Sequence, residues 1–179
     1  MQSQPNAEFF TPAGSIGKRL AWLGRPGRAP TVVFLGGYRS DMRGAKAERL
    51  SATCDKAGLG FLRFDYRGHG ESSGRFADLT ISDWLDDADA IVSAKTEGPL
   101  LLVGSSMGGW IALLLARRMR AHDRDAASGA GAGLHQAAGG AVPDRRRVPR
   151  PRPPRLYRTL FELFLSLIHI SEPTRQEAI

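Results

Sequence analysis

The chain has 179 residues, of which 42% are hydrophobic and 24% are charged, and its formal net charge is +7. This composition is typical of one folded domain and excludes a wholly disordered chain. The single cysteine, Cys54, excludes an internal disulfide and argues against a cysteine-rich zinc site, and no apolar run reaches the roughly 20 residues of a membrane span.

The N-terminal part predicts short strands rather than an export signal. It has no basic start followed by an apolar core, so we expect no signal peptide and a cytoplasmic location. Residues 7–11 and 18–23 are strand candidates, with Gly14 in the turn between them. Residues 31–35, TVVFL, are β-branched or apolar throughout, which is typical of a strand buried on both faces.

A helix and a second buried strand follow. Ser40 or Asp41 is the predicted N-cap of a helix that runs to about Ala57, and Gly58 suits its C-terminal stop. Residues 60–66, GFLRFDY, predict the next strand.

The following segment repeats this alternation of helices and strands. Thr80 and Asp83 have capping-box spacing, and the apolar residues between 84 and 92 form one face of a helix. Residues 99–103 predict a third buried strand, and residues 109–120 a third helix. Strands that alternate with helices predict an α/β fold with a doubly wound, mostly parallel sheet.

The third strand meets the third helix in a Gly-x-Ser-x-Gly pattern. Gly104 and Gly108 flank Ser106, while Ser105 occupies the variable position and is the weaker candidate nucleophile. Such a serine sits on a sharp turn at strained backbone angles, and the glycines remove side chains that would collide there. The alternative is a structural glycine-rich turn. The position between an aliphatic strand and a helix favours the nucleophile.

Acyl transfer by a serine requires two hydrogen-bond donors for the developing oxyanion. The backbone N–H of Met107 is one candidate. The backbone N–H of Tyr38 is the second, because Gly36-Gly37 lets the main chain approach closely. The alternative is that these two glycines serve only the backbone angles of a turn.

Three motifs together resemble the α/β-hydrolase superfamily: GSSMGG around Ser106, FLGGYRSDM after the first buried strand, and FDYRGHGES after the second. The last is similar to the superfamily's Asp-x-x-Gly-His-Gly-x-Ser loop, here Asp65, Gly68, His69, Gly70 and Ser72. The stretch GYRSDMRGAKA further resembles the palmitoyl-protein thioesterase branch, which contains a mitochondrial enzyme and bacterial relatives. The resemblance covers about residues 7–120.

This resemblance implies a serine hydrolase that cleaves esters, thioesters or amides through a serine, an acid and a histidine, with no cofactor. It implies a small acyl ester or thioester as substrate and no nucleic acid as partner. In the superfamily the acid and the histidine follow later strands, and no such strands are evident after Arg120. Oligomeric state is not predicted.

The residues after 120 have a different composition. Residues 121–142 contain eight alanines and five glycines, and PDRRRVPRPRPPR follows at 143–155. We predict a boundary here, with 1–120 the N-terminal part of the hydrolase domain and 121–179 a disordered or non-native tail that leaves the third strand at an open sheet edge. One interpretation is a frameshift in a GC-rich gene, which this composition favours. The other is a genuine basic arm that makes the chain a non-catalytic scaffold binding polyanions.

The last residues favour the first interpretation. Residues 165–175, LSLIHISEPTR, resemble a translated adapter from DNA library preparation. The alternative is an amphipathic helix that begins near Leu156, and its part up to about Phe164 remains possible under both interpretations.

No histidine in the sequence is an evident general base. Because the superfamily's catalytic histidine comes near the C-terminus, the resemblance implies that His69 is a structural loop residue, with a catalytic base as the alternative. His122, His135 and His169 lie in the tail region. Asp123, Asp125 and Asp144 are predicted to be solvated charges. The same is predicted for Asp83, Asp86, Asp87 and Asp89, a helical cluster for which a metal site is the alternative. Cys54 is predicted on the inner face of the first helix.

Overall fold

A computed structural model describes residues 5–15, 17–135 and 157–159. Its strands form one six-stranded sheet in the order β1-β2-β4-β3-β5-β6. The strands are β1 (Glu8–Phe10), β2 (Leu20–Arg25), β3 (Arg28–Leu35), β4 (Leu59–Phe64), β5 (Leu100–Gly104) and β6 (Tyr157–Thr159). The helices are α1 (Ala45–Lys56), α2 (Ile81–Lys95) and α3 (Met107–His135), with one 3-10 turn at Phe76–Asp78.

The sheet is antiparallel at one end and parallel from β4 onwards. β1 pairs with β2 and β2 with β4 in antiparallel fashion, whereas the β4–β3, β3–β5 and β5–β6 pairs are all parallel. This is the mostly parallel sheet that the alternation of strands and helices predicts. Because the strands are parallel, the carboxyl ends of β3, β4 and β5 meet at one edge, where the three motif loops begin.

Helices cover both faces of the sheet. Val33, Leu35 and Leu102 point to the face that packs against α2 and α3. Val32, Phe34 and Val103 point to the other face, against α1. The alternation of neighbouring residues between two cores confirms that residues 31–35 form a strand buried on both sides. Within the described ranges, no helix is both long and apolar enough to cross a bilayer.

The predicted start of α1 is wrong. The helix begins at Ala45 with Gly44 as its N-cap, and no side chain caps it. The Ser40 hydroxyl instead donates to the carbonyl of Gly37 at 2.8 Å, and the Asp41 carboxylate accepts from the amide of Arg43 at 2.7 Å. Both side chains therefore stabilise the loop that precedes the helix.

Two other helix boundaries follow the sequence rules. α1 stops at Gly58, which has a φ of +65° that suits glycine. The capping box of α2 is present, because Thr80 and Asp83 each receive a hydrogen bond from the other's backbone amide. Asp fulfils here the role that Glu or Gln usually has.

The predicted open edge of the sheet is also corrected. β6 pairs in parallel with β5, from Leu100 beside Tyr157 to Leu102 beside Thr159. Residues 157–159 are therefore a strand and not part of the helix that the sequence suggested from Leu156. Helix α3 continues to His135, past the predicted boundary at residue 120. The adapter-like run at 165–175 lies outside the described residues.

Candidate active site

The turn between β5 and α3 has the geometry of a nucleophile elbow. Ser106 has a φ of +53°, in the left-handed region that a residue with a Cβ atom rarely adopts. The turn closes through hydrogen bonds from the Gly108 amide to the Ser105 carbonyl at 2.9 Å and from the Gly109 amide to the Ser106 carbonyl at 2.8 Å. The serine therefore occupies the sharp, strained position that its pattern predicts.

Close backbone contacts explain both flanking glycines. A Cβ atom on Gly104 would overlap the carbonyl group of Gly108. A Cβ atom on Gly108 would overlap the carbonyl oxygens of Leu35 and Gly36. The elbow thus packs against its own strand on one side and against the end of β3 on the other, and each contact requires a residue without a side chain.

The loop after β3 lies beside Ser106. A Cβ atom on Gly37 would lie 3.0 Å from the Ser105 carbonyl oxygen and 3.6 Å from the Ser106 Cβ atom. The amide of Ser105 donates to the Leu35 carbonyl at 3.1 Å, which extends the β3–β5 pairing into the site. The structure therefore brings together the two loops that carry the predicted oxyanion donors.

Neither predicted oxyanion donor has a partner among the described residues. The Met107 amide is at the first position of α3, where a helix leaves its N–H groups unpaired. The Tyr38 amide likewise donates to no described acceptor. Both N–H groups remain available to a ligand, and their role in catalysis stays a prediction.

The two serines of the pattern have different environments. The Ser105 hydroxyl accepts a hydrogen bond from the Lys46 ammonium group of α1 at 3.2 Å. The Ser106 hydroxyl has no hydrogen-bond partner within residues 5–15, 17–135 and 157–159. Among these residues, therefore, no histidine forms a hydrogen bond with Ser106.

Asp65 ties together the loops after β3 and β4. Its buried carboxylate accepts hydrogen bonds from the amides of Met42 at 2.6 Å and Glu71 at 2.9 Å. Burial raises the pKa of this carboxyl, and the two backbone donors oppose that shift. Gly70, with a φ of +45°, lies so close that a Cβ atom there would overlap the carboxylate. Asp65 and Gly70 of the motif therefore have a structural role in this loop rather than a catalytic one.

His69 is held by backbone on both sides of its ring. Nδ1 lies 3.2 Å from the Arg67 carbonyl oxygen, and Nε2 accepts from the Arg39 amide at 3.3 Å. Because both nitrogens are engaged and the side chain is buried, His69 is not placed to accept a proton from Ser106. This agrees with its prediction as a structural loop residue.

Not every aspartate of the acidic cluster on α2 is exposed to solvent. Asp87 is buried and forms an ion pair with the Arg67 guanidinium, with Nε–Oδ1 at 2.6 Å, while its Oδ2 accepts a hydrogen bond from the Arg67 backbone amide at 2.9 Å. The prediction for Asp87 is therefore wrong, because the sequence could not show that an arginine from the loop after β4 reaches it. Asp86 and Asp89 pair with Arg118 of α3. No group of three metal-ligating side chains occurs in the part of the chain that is described.

Cys54 is buried on the inner face of α1, as predicted, and burial raises the pKa of its thiol. It therefore has neither the exposure nor the acidity of a reactive cysteine. His122 is on an exposed part of α3. Asp144, His169 and the side chains of Asp125 and His135 lie outside the described residues.

A cleft of about 320 Å³ lies between the loops after β3 and β4. Its walls come from Arg39, Ser40, Asp41, Gly68, His69, Gly70 and Phe76. Above it the exposed Tyr38 ring packs edge-on against Phe76, with centroids 4.9 Å apart. The Arg39 guanidinium lies 4.9 Å from the Phe76 ring centroid. The loop that carries the predicted Tyr38 donor therefore also forms one side of this cleft.

Comparisons with known proteins agree with this geometry. Residues 28–160 match a family model described as serine aminopeptidase, S33. The mitochondrial palmitoyl-protein thioesterase ABHD10 of Mus musculus is 43% identical over 94 residues, which is 52% of this chain and 32% of that protein. The chain thus spans about a third of the length of these curated thioesterase relatives.

Two solved structures share the fold. The mouse α/β-hydrolase domain-containing protein 10 superposes with a TM-score of 0.59 at 38% identity, covering 63% of this chain and 44% of that one. A protein described as a hydrolase from Agrobacterium vitis S4 gives a TM-score of 0.61 at 45% identity, covering 66% and 47%. With the elbow, the facing loop and the sheet order in place, the chain belongs to the serine aminopeptidase S33 family of α/β-hydrolases.

Proposed function

We propose that the chain carries the nucleophile and the oxyanion donors of a serine hydrolase site that acts on carboxylic esters or acyl thioesters. The observation that carries the proposal is Ser106 at a φ of +53° on the elbow, next to two unpaired N–H groups. Curated relatives that are 42–43% identical over 94 residues are palmitoyl-protein thioesterases, which supports an acyl thioester as substrate.

In the proposed reaction the Ser106 oxygen attacks the acyl carbonyl carbon while a general base takes the hydroxyl proton. The carbonyl oxygen becomes an oxyanion, which accepts hydrogen bonds from the Met107 and Tyr38 amides. The tetrahedral intermediate then collapses, the bond to the leaving group breaks, and the proton passes to the departing alcohol or thiol. Water attacks the acyl-enzyme in the same way and releases the acid.

In this proposal the described residues contribute the nucleophile and the two donors, and none of them is paired with Ser106 as a base. We therefore propose that this chain alone is nearly inactive. Loss of one member of a catalytic triad lowers turnover by about 10⁴- to 10⁶-fold.

Chemical rescue tests both parts of the proposal. Hydrolysis of p-nitrophenyl acetate and of an acetyl thioester is measured with and without added imidazole, which can replace a missing histidine. We expect a low rate of hydrolysis that imidazole raises in the unaltered chain and in Ser105→Ala. Imidazole should give no such increase in Ser106→Ala, and the rate with that variant also corrects for hydrolysis by imidazole itself. Equal rates in Ser106→Ala and the unaltered chain would refute Ser106 as nucleophile. Ordinary enzyme turnover without imidazole would refute the inactivity.

A further inference from the structure

His69 connects the two loops that border the candidate site. Its side chain is only 4% exposed, and both ring nitrogens contact main-chain atoms of other residues. A carbonyl oxygen can only accept a hydrogen bond and a backbone amide can only donate one. The contact of Nδ1 with the Arg67 carbonyl and of Nε2 with the Arg39 amide therefore requires a neutral ring with its proton on Nδ1.

Aromatic neighbours fix the orientation of this ring. The His69 ring packs edge-on against Phe76, at 5.1 Å between centroids, and against Trp84, at 5.0 Å. It also packs against Tyr66 at 5.6 Å. The Trp84 indole N–H donates at 3.0 Å to the same Arg67 carbonyl that His69 contacts. The ring therefore has little freedom to turn away from the Arg39 amide.

The hydrogen bond that His69 accepts acts on an unusual stretch of backbone. Arg39 has a φ of +54° and, apart from Ser106, is the only non-glycine residue with a positive φ in the described part of the chain. Its amide belongs to the peptide unit that contains the Tyr38 carbonyl, so the bond restrains the carbonyl side of Tyr38, next to the peptide unit that carries the Tyr38 N–H. A residue with a Cβ atom keeps such a conformation only when its surroundings hold it.

We propose that His69 is a positioning residue that holds the Tyr38–Arg39 peptide in place and thereby directs the Tyr38 N–H toward the oxyanion beside Ser106. This rests on the proposed function for the role of that N–H. His69 itself touches neither substrate nor nucleophile.

Amide hydrogen exchange tests the positioning without needing activity. His69→Phe removes both nitrogens, His69→Gln keeps an acceptor and a donor, and His122→Phe is the control on an exposed part of α3. We expect exchange of the Arg39 amide to become about 10-fold faster in His69→Phe, after correction for any change in global stability, as loss of one hydrogen bond implies. It should return toward the original rate in His69→Gln. An unchanged Arg39 amide, or a uniform increase at all amides, would overturn the proposal.

A second measurement needs no variant. Nitrogen NMR of the unaltered protein distinguishes the two neutral tautomers and the charged ring, and we expect His69 to carry its proton on Nδ1 only. A proton on Nε2 would overturn the proposal, because that nitrogen could not accept from Arg39.

Kinetics under imidazole rescue adds the functional readout. An oxyanion donor acts in the transition state, so His69→Phe should lower kcat about 10-fold with KM unchanged, and His69→Gln should recover part of it. A rise in KM at constant kcat would contradict the role in the oxyanion. If no Ser106-dependent turnover is found, the proposed function fails, whereas the exchange and tautomer results still decide whether His69 holds the loop.

Discussion

Gly108 packs against the carbonyl oxygen of Leu35 so closely that a Cβ atom on Gly108 would overlap it. This contact joins the first turn of α3 to the end of β3, and it sets the distance between the elbow and the loop that faces it. The site therefore depends on a backbone-to-backbone contact that no side chain can replace.

We expect Gly108→Ala to destabilise the protein by about 1–3 kcal/mol, because the new methyl group must push apart β3 and α3. Gly44→Ala is the control for contacts, since a Cβ atom on Gly44 would meet only the Asp41 carbonyl at 3.5 Å, and replacement of glycine at this N-cap should cost no more than about 1 kcal/mol. Urea unfolding compares the two variants with the unaltered chain. Equal stability of Gly108→Ala and Gly44→Ala would show that β3 and α3 can separate without cost to admit the methyl group.

The Arg67–Asp87 pair predicts a large difference between two neighbouring aspartates. Asp87→Asn leaves the buried Arg67 with only the partly exposed Asp83 as a charge partner, at 3.4 Å, and should cost about 3 kcal/mol. Asp86→Asn removes an exposed pairing with Arg118 and should cost less than about 1 kcal/mol. Thermal unfolding of both variants measures the difference, and similar melting temperatures would contradict a structural role for the buried pair.

Asp65 predicts a specific dependence of stability on pH. Burial raises the pKa of this carboxyl in the folded state above the ordinary value of about 3.9, so the folded protein binds this proton more tightly than the unfolded chain. The contribution of Asp65 to stability is therefore full below about pH 4 and is lost as the pH rises through the raised pKa.

Asp65→Asn cannot ionise and should lack this dependence, although it is less stable overall because an amide oxygen replaces only one of two acceptors. The free energy of unfolding of both proteins is measured from acidic to neutral pH. We expect the advantage of the unaltered chain over the variant to shrink as the pH rises. An advantage that grows with pH would show that the two backbone donors outweigh burial.

Loss of the capping box of α2 should lower the stability of the protein by less than loss of the buried Asp87 carboxylate. Thr80→Ala removes the hydroxyl that accepts from the Asp83 amide and should destabilise the protein by about 1 kcal/mol. Ser82→Ala, one residue inside the helix and exposed, should change stability by less than half of that. Urea midpoints of the two variants test the comparison, and a neutral Thr80→Ala would mean that Asp83 alone caps the helix.

Local patterns were sufficient for the parts of the fold that depend on neighbours in sequence. The apolar run 31–35, the Thr80 capping box and the strand-to-helix turn at Ser106 each carry their own signal, and the structure has all three. Contacts between distant segments carry no such signal. The partnership of Arg67 with Asp87 depends on how the loop after β4 lies on α2, and an isolated acidic helix gives no indication of it.

Two other features were missed for related reasons. Ser40 and Asp41 are good caps by type, but their side chains bond within the loop that approaches Ser106, so the helix starts at Ala45. β6 is only three residues long, and the composition of the segment around it gives no signal for a strand. For the candidate site, the sequence predicts Ser106, Met107 and Tyr38, and their catalytic roles stay predictions, whereas the contact of His69 with the Arg39 amide is visible only in the structure.

The left-handed backbone conformation at Ser106 lowers the stability of the fold at the same residue that the proposed function requires. A glycine there would adopt the same angles without steric conflict, and relief of such strain is worth on the order of 1 kcal/mol. Folding alone therefore gives no reason for a serine at this position, whereas the proposed nucleophile requires one. Arg39, on the facing loop, is the other non-glycine residue with a positive φ in the described chain, so both strained positions lie in the two loops that form the candidate site.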